Sequence, residues 1–350
     1  VGWYQANQSK GERVSAARAW LQPARGRANL TVLTDARVTR ILLEGAQAKG
    51  VALTHRGQNH NVAAGEVIMA AGAVQTPQLL ELSGIGDAAR LKAMGIAPLH
   101  DLPGVGENYL DHFCTRMNWR VSQPVTLNEL TRWPRLGIEV LKYALQRRGV
   151  LTYGTGLNHA FLRSRPDVDR PDVQFFFMHA SYANAAERKL DRFPGMTLGV
   201  TQMRPQSRGS IHAVSPDLEV QPAIVPNFLD AEEDRRAMID GMKLAREIIA
   251  QKPMDAFRVG ELSPGTDCQR DEDWLEFARA NGQTIYHAAG TCRMGDDPMA
   301  VVDPQLRLRG IAGLRVIDAS VMPEMVSGNT QAAVMMIAAK GAEMVLSDAR

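Results

Sequence analysis

The sequence predicts an α/β domain combined with an α+β domain, and three stretches of the chain carry that prediction. The run Glu66-Val67-Ile68-Met69-Ala70 has the composition of a buried strand, ends in Ala71-Gly72 and leads into helical spacing. Between about residues 120 and 284 the chain mixes helical and strand signals without that order. The last third returns to the first style, with Leu314-Arg315-Val316-Ile317-Asp318 as a strand and Gln331–Leu346 as a long helix carrying Ala and Met at its apolar positions.

Taken in order, Leu30-Thr31-Val32-Leu33-Thr34 and Val38-Thr39-Arg40-Ile41-Leu42-Leu43 are rich in β-branched residues and predict two strands separated by Asp35-Ala36-Arg37. Val51-Ala52-Leu53-Thr54 follows the glycines at 45 and 50 and can pair with the second strand as a hairpin. After the strand at 66–70, Thr76 as N-cap and Pro77 at the first helical position predict a helix that stops at Ser83-Gly84. Strand, glycine turn and helix is the order of an α/β nucleotide-binding domain. In the middle, Leu136–Arg147 and Glu232–Gln251 predict helices, and Val173–Met178 and Leu198–Met203 predict strands. The chain therefore divides into an α/β part over 1–120, an α+β part over 121–284 and a return to the first style over 285–350.

The 350-residue chain is long enough for two hydrophobic cores. Forty Lys and Arg against 38 Asp and Glu leave a net charge of +2, which gives no reason to expect nucleic acid or a strongly acidic partner. The arginines of 132–135 and 147–148 read as solvated faces. No apolar run is long enough to span a bilayer, and Ala332–Ala339, the richest, is far too short. Three scattered cysteines, Cys114, Cys268 and Cys292, fit a reducing compartment and argue against a disulfide framework or a structural zinc site. The expected location is cytoplasmic, with peripheral attachment to the inner membrane left open.

Separated blocks then carry a resemblance. Gly72-Ala73-Val74-Gln75-Thr76-Pro77 through Ser83-Gly84-Ile85-Gly86, followed by Gly104-Val105-Gly106-Glu107-Asn108-Tyr109-Leu110-Asp111-His112, forms one pair. Tyr286-His287-Ala288-Ala289-Gly290-Thr291-Cys292-Arg293-Met294-Gly295 forms another, and Val302-Asp303-Pro304 leads through 314–320 to Met322-Pro323 and Ser327-Gly328-Asn329-Thr330. Their types and order resemble the glucose-methanol-choline (GMC) oxidoreductases, choline- or alcohol-dehydrogenase-like flavoenzymes that act on CH–OH donors. The resemblance implies FAD as cofactor, an alcohol as substrate and a quinone, a dye-like acceptor or oxygen as electron acceptor, with a dehydrogenase favoured over an oxidase.

Oxidising an alcohol removes a proton from oxygen and a hydride from carbon, and an imidazole of ordinary pKa near 6.5 can take the proton near neutral pH. The resemblance assigns that role to His287. It places Asn329 where an amide donates to the substrate oxygen, a role compatible with the plain reading of Asn329 as N-cap of the helix that follows. Further matches place Val38 at the adenine, Ala71 and Gly72 at the ribose, and Asp318 and Ala319 at the diphosphate and ribityl chain, with Thr330 also against the flavin. The other seven histidines read as surface, turn or packing residues, His112 being the one whose motif lies near the flavin domain. Cys292 reads as a packed thiol.

The G-x-G-x-x-G turn of a dinucleotide-binding unit does not occur in these residues: Gly104-Val105-Gly106 supplies two glycines with no strand before them, and Gly310 and Gly313 precede a strand. With the resemblance, the expectation is an incomplete, N-terminally truncated FAD-binding Rossmann-like domain over 1–120 and 285–350, with an antiparallel-sheet substrate-binding domain over 121–284, in a chain that binds flavin poorly and shows little activity alone. A non-redox member of the family, such as a hydroxynitrile lyase or a fatty-acid photodecarboxylase, and an inactive, partner-binding remnant are the alternatives. Phe175-Phe176-Phe177, Tyr153 and Tyr182 could line a substrate pocket, although a strand with alternate Phe inward explains the first three equally. No segment announces an aromatic and acidic cage for choline, and a long-chain or aryl alcohol is as plausible a substrate.

Overall fold

The computed structural model describes all residues except 155, 185, 186, 188, 349 and 350. The chain divides into two compact units, each assembled from three separated stretches.

One unit comprises Val1–Val32, Phe113–Met203 and Arg235–Gln283. Its antiparallel sheet runs in the order Gly2–Trp3, Asn158–Leu162, Val173–Met178, Gly195–Gln202, Phe113–Val121, Arg258–Ser263. Gly195–Gln202 lies in the middle and is buried at every position, which suits its run of small and β-branched residues. The pleat sends Phe175 into the core, while the Phe176 ring lies over Gly199 of the neighbouring strand. That arrangement is a packing reason for consecutive phenylalanines. The helix Glu232–Ile249 approaches the sheet at Gly241, where an added Cβ would sit 2.9 Å from Val200. A side chain there would push the helix off the sheet.

The other unit comprises Leu33–His112, Arg204–Asp234 and Thr284–Arg350. It carries a three-stranded antiparallel meander, Ala36–Glu44, Gln47–His55 and Gln58–Ala63. The first two strands are the predicted hairpin; the third is too polar to have been read as a strand. The expected strand at 30–34 does not form. Its residues are irregular and mostly exposed, and no ladder pairs with them among the described residues, so β-branched composition alone was insufficient.

Beside the meander, Val67–Met69 and Leu314–Val316 run parallel, with Ile317 N–H donating to the Met69 carbonyl at 2.8 Å. Arg315, central in that pair and buried, donates to Glu66 at 2.6 Å, to the Gln305 carbonyl at 2.9 Å and to Asp348. This guanidinium ties the strand to the end of the helix Gln331–Asp348. The same helix packs on the strand end through Gly341, where a Cβ would lie 2.5 Å from Ile317. The core of the unit is formed by Ile41, Leu80, Val105, Leu110, Val302 and Val316 with their neighbours.

The helix after Val67–Met69 spans Gly72–Leu82, starting four residues before the expected cap at Thr76. Pro77 therefore lies inside it, lacking the N–H that would pair with the Ala73 carbonyl. That carbonyl instead accepts from Thr291 Oγ1 at 2.6 Å. At the other end Ser83 and left-handed Gly84 (φ +81°) close the helix as the sequence predicts.

Candidate active site

Backbone hydrogen bonds lay three of the motif segments side by side within the second unit. Gly106 N–H donates to the Thr291 carbonyl at 2.9 Å, and Leu110 and Ala289 exchange N–H···O bonds, each of 2.9 Å. Ile285 N–H donates to the His112 carbonyl at 3.2 Å. On the opposite edge, Gly290, Cys292 and Met294 donate to the carbonyls of Ala319, Ser320 and Val321. The segment 285–294 is thus held between 106–112 and 319–321. Gly106 must be glycine, since its φ is +83° and a Cβ would stand 2.3 Å from the Ile211 carbonyl.

This arrangement presents His287 with two polar contacts. Its Nδ1 lies 2.8 Å from His112 Nδ1, and its Nε2 lies 3.5 Å from Asn329 Nδ2. His112 is buried, His287 half-buried and Asn329 exposed. Burial holds the His287 imidazole below the ordinary histidine range, and the Asp111 charge opposes that shift. The histidine is accordingly neutral near pH 7.

Asp111 fixes the backbone of this loop. Its Oδ1 accepts from the His287 N–H at 2.9 Å, and its Oδ2 accepts from Tyr109 Oη at 2.7 Å and from the Thr284 hydroxyl. Thr284 Oγ1 in turn accepts from Tyr286 N–H at 2.8 Å. Burial first, then the Asp111 charge, raises the Tyr109 pKa far above the usual phenol value, so Tyr109 remains a donor. Tyr286 adopts φ +66°, a left-handed conformation that costs an L residue on the order of 1–2 kcal/mol. The chain reverses there immediately before His287.

A second constellation surrounds Asp318. Its Oδ2 accepts from Gly72 N–H at 2.8 Å and Thr76 Oγ1 at 2.7 Å, and its Oδ1 accepts from Ser320 N–H at 2.8 Å and Ser320 Oγ at 2.5 Å. The helix Gly72–Leu82 has no side-chain cap of its own, and Asp318 supplies an acceptor for its first turn from 246 residues away. This carboxylate is fully engaged within the protein, so only the backbone around it is left to meet a ligand. Gly72 has φ +82° with open space where a Cβ would be, and Ala71 beside it is exposed.

Of the residues singled out from the sequence, the structure brings Gly72, Asp318 and Ala319 together, and separately His287 and Asn329. The Gly290–Ala319 bond links the two groups. Val38 lies in the meander next to an irregularity in register between Val38 and Arg40, which interrupts the regular ladder there. Thr330, not Asn329, takes the cap position of the last helix, since its carbonyl accepts from Val334 N–H at 2.9 Å. The plain N-cap reading of Asn329 is thereby corrected, and its amide is left to face His287. Cys292 is buried, and burial, reinforced by the Asp318 charge, pushes its thiol well above the ordinary range. That fits a packing role.

Sequence reasoning did not assign Asp111 or His112 to the site. Their only sequence signal was membership of the 104–112 motif, because the bridge between Leu110 and Ala289 that delivers them joins residues distant in the chain.

An FAD molecule fits these features. The open, left-handed Gly72 and exposed Ala71 allow close approach of a sugar or phosphate. The N-terminal end of the 18-residue helix Gln331–Asp348, beside Asn329, favours negative charge.

Two family models, both described as GMC oxidoreductase, match the chain, one over residues 1–114 and the other over 205–338. The chain is 40% identical to the alcohol dehydrogenase [acceptor] of Pseudomonas putida over 350 residues, 99% of this chain and 63% of the relative. It is 41% identical to the oxygen-dependent choline dehydrogenase of Staphylococcus haemolyticus (strain JCSC1435), over 98% of this chain and 61% of the relative. Among solved structures, pyridoxine 4-oxidase from Mesorbium loti superposes with a TM-score of 0.84 at 31% identity, covering 96% of this chain and 62% of that one. Formate oxidase of Aspergillus oryzae superposes with a TM-score of 0.89 at 25% identity, covering 97% and 64%. The chain spans about three-fifths of the length of the curated relatives it matches.

Proposed function

The chain belongs to the GMC oxidoreductases, and on that premise we propose that it serves an FAD-dependent enzyme oxidising an alcohol to an aldehyde, with His287 as base and Asn329 as donor to the substrate oxygen. The observation that carries this reading is the 3.5 Å separation of His287 Nε2 and Asn329 Nδ2. That distance is long for a hydrogen bond, yet one oxygen placed about 2.8 Å from each atom fits between them. An alcohol hydroxyl in that position gives its proton to Nε2 while the amide donates to the oxygen as it becomes negative.

Nε2 can accept only if the imidazole is neutral with its proton on Nδ1. The Nδ1 proton is then donated to His112 Nδ1, which fixes both the tautomer and the ring orientation of His287. Once His287 is protonated, the Asp111 carboxylate, already bonded to its backbone N–H, stabilises the positive charge. The flavin, when bound, supplies the acceptor for the carbon-bound hydrogen and its electron pair. Val38, Ala71, Gly72, Ala319 and Thr330 would meet FAD along the strand ends and the start of the last helix. Asp318 would contribute by holding Gly72 and Ser320 in place. Electrons would pass on to an acceptor such as a quinone or to oxygen; the names of the dehydrogenase relatives give an unspecified acceptor in one case and oxygen in the other.

Anaerobic mixing of the flavin-loaded enzyme containing this chain with primary alcohols, choline among them, tests the reading. Bleaching of the oxidised flavin with stoichiometric aldehyde supports it. An unchanged spectrum with every alcohol would overturn it.

A further inference from the structure

The helix Arg135–Gln146, in the first unit, leaves much of its apolar surface exposed. Its buried side chain is Glu139, whose carboxylate accepts from Val150 N–H at 3.1 Å, with Lys142 Nζ 3.5 Å away. Its apolar side chains Ile138, Leu141 and Leu145 are 63%, 59% and 74% exposed. At i, i+3 and i+7 these three form one narrow stripe along the helix. Trp133, 80% exposed, extends the stripe, because a Cβ on Gly137 would lie 2.8 Å from its ring and the indole therefore rests on the helix there.

The charge beside this stripe is mainly cationic, with Arg147 paired to Glu12 at 3.2 Å. Residues 132–149 hold four arginines and one lysine against a single acid, the inward-facing Glu139. Arg135 and Lys142 fall on one border of the stripe by helical position, and Arg147 and Arg148 follow its C-terminal end. Arg135 and Arg148 have no carboxylate partner among the described residues. The overall charge of +2 conceals this local surplus.

We propose that this helix is an interfacial anchor that lays Trp133, Ile138, Leu141 and Leu145 into the surface of an anionic lipid bilayer. An exposed apolar stripe with a cationic border and an aromatic residue at its end is complementary to acyl chains beneath negatively charged headgroups. A second copy meeting the same face about a two-fold axis would instead bring two cationic borders together. No described helix is long and apolar enough to cross a membrane, so the contact is with one leaflet. The inference is independent of the reading of the catalytic site, and either can fail without the other.

Co-sedimentation with vesicles tests it, using phosphatidylcholine alone and phosphatidylcholine mixed with phosphatidylglycerol. The protein is expected in the pellet with the anionic vesicles, releasing as salt rises, and in the supernatant with the neutral ones. Arg135→Gln and Lys142→Gln should each weaken binding about fivefold, and Leu141→Gln with Leu145→Gln about tenfold or more. Both leucines are exposed, so thermal unfolding should be unchanged, which separates lost binding from lost folding. A blue shift of emission on binding that Trp133→Phe abolishes would place the indole in the lipid. Wild-type protein that stays in the supernatant with anionic vesicles overturns the proposal. So does equal binding by the leucine variant, or a wild-type dimer that this variant dissociates without any vesicle binding.

Discussion

Replacing Asp318 by alanine removes one acceptor from four donors: Gly72 N–H, Thr76 Oγ1, Ser320 N–H and Ser320 Oγ. Each hydrogen bond to a charged group contributes roughly 1.5–3 kcal/mol. The sum overstates the effect, because burying the carboxylate itself costs energy and water can reach half-exposed Gly72. Thr76 and Ser320 are fully buried and have no such recourse. The net loss should be about 3 kcal/mol. For a unit of this size, roughly 2–4 °C per kcal/mol makes that a fall in Tm of about 6–12 °C. Asp318→Asn keeps one oxygen for two donors but turns its amide toward the other two, so it should cost about half as much. Thermal and urea unfolding followed by circular dichroism measure both variants. If Asp318→Ala unfolds within about 1 kcal/mol of wild type, this carboxylate is not what holds the helix start to the strand end, and the account of how Gly72 is positioned is wrong.

Two further outcomes are expected. Thr291→Val should orphan the Ala73 carbonyl left unpaired by Pro77 and cost about 1–3 kcal/mol, whereas Thr291→Ser keeps the hydroxyl and should lose much less, as denaturant midpoints will show. His112→Leu removes the ring beside His287 Nδ1 and should lower kcat roughly 10-fold to 100-fold with little change in KM or in FAD affinity, a split that a general loss of folding would not produce.

The sequence was most readable where local pattern and tertiary environment agreed. Val173–Met178 formed as expected, its apolar run coinciding with burial at four of six positions, and the hairpin around 45–50 and the long final helix followed their glycine turn and helical spacing. It was least readable where a distant residue decides the outcome. The start of the helix at Gly72 depends on Asp318, and the tolerance of Pro77 inside it depends on Thr291. Neither partner lies within reach of a local window, so Thr76-Pro77 reads locally as the helix start. His112 reads locally as one of seven surface, turn or packing histidines for the same reason, since its neighbour His287 is 175 positions away. The helix near 136–147 was visible from its periodicity, but periodicity does not say which face is buried, and the side turned inward carries Glu139 with half-buried Leu136 and Tyr143. His287 and Asn329 were found through the motifs that contain them, and their separation was not readable from either motif alone.

The pH dependence of flavin reduction by a primary alcohol, compared in wild type and His287→Gln, bears most directly on the catalytic role of that histidine. Burial lowers its pKa, so the neutral base persists to lower pH than an ordinary histidine would, and activity should fall only below about pH 6.5, where the imidazole becomes protonated. His287→Gln should slow reduction by roughly 10²–10⁴-fold and abolish that acid limb. A limb that survives in the variant, or a variant as fast as wild type, would contradict the assignment of His287 as the base.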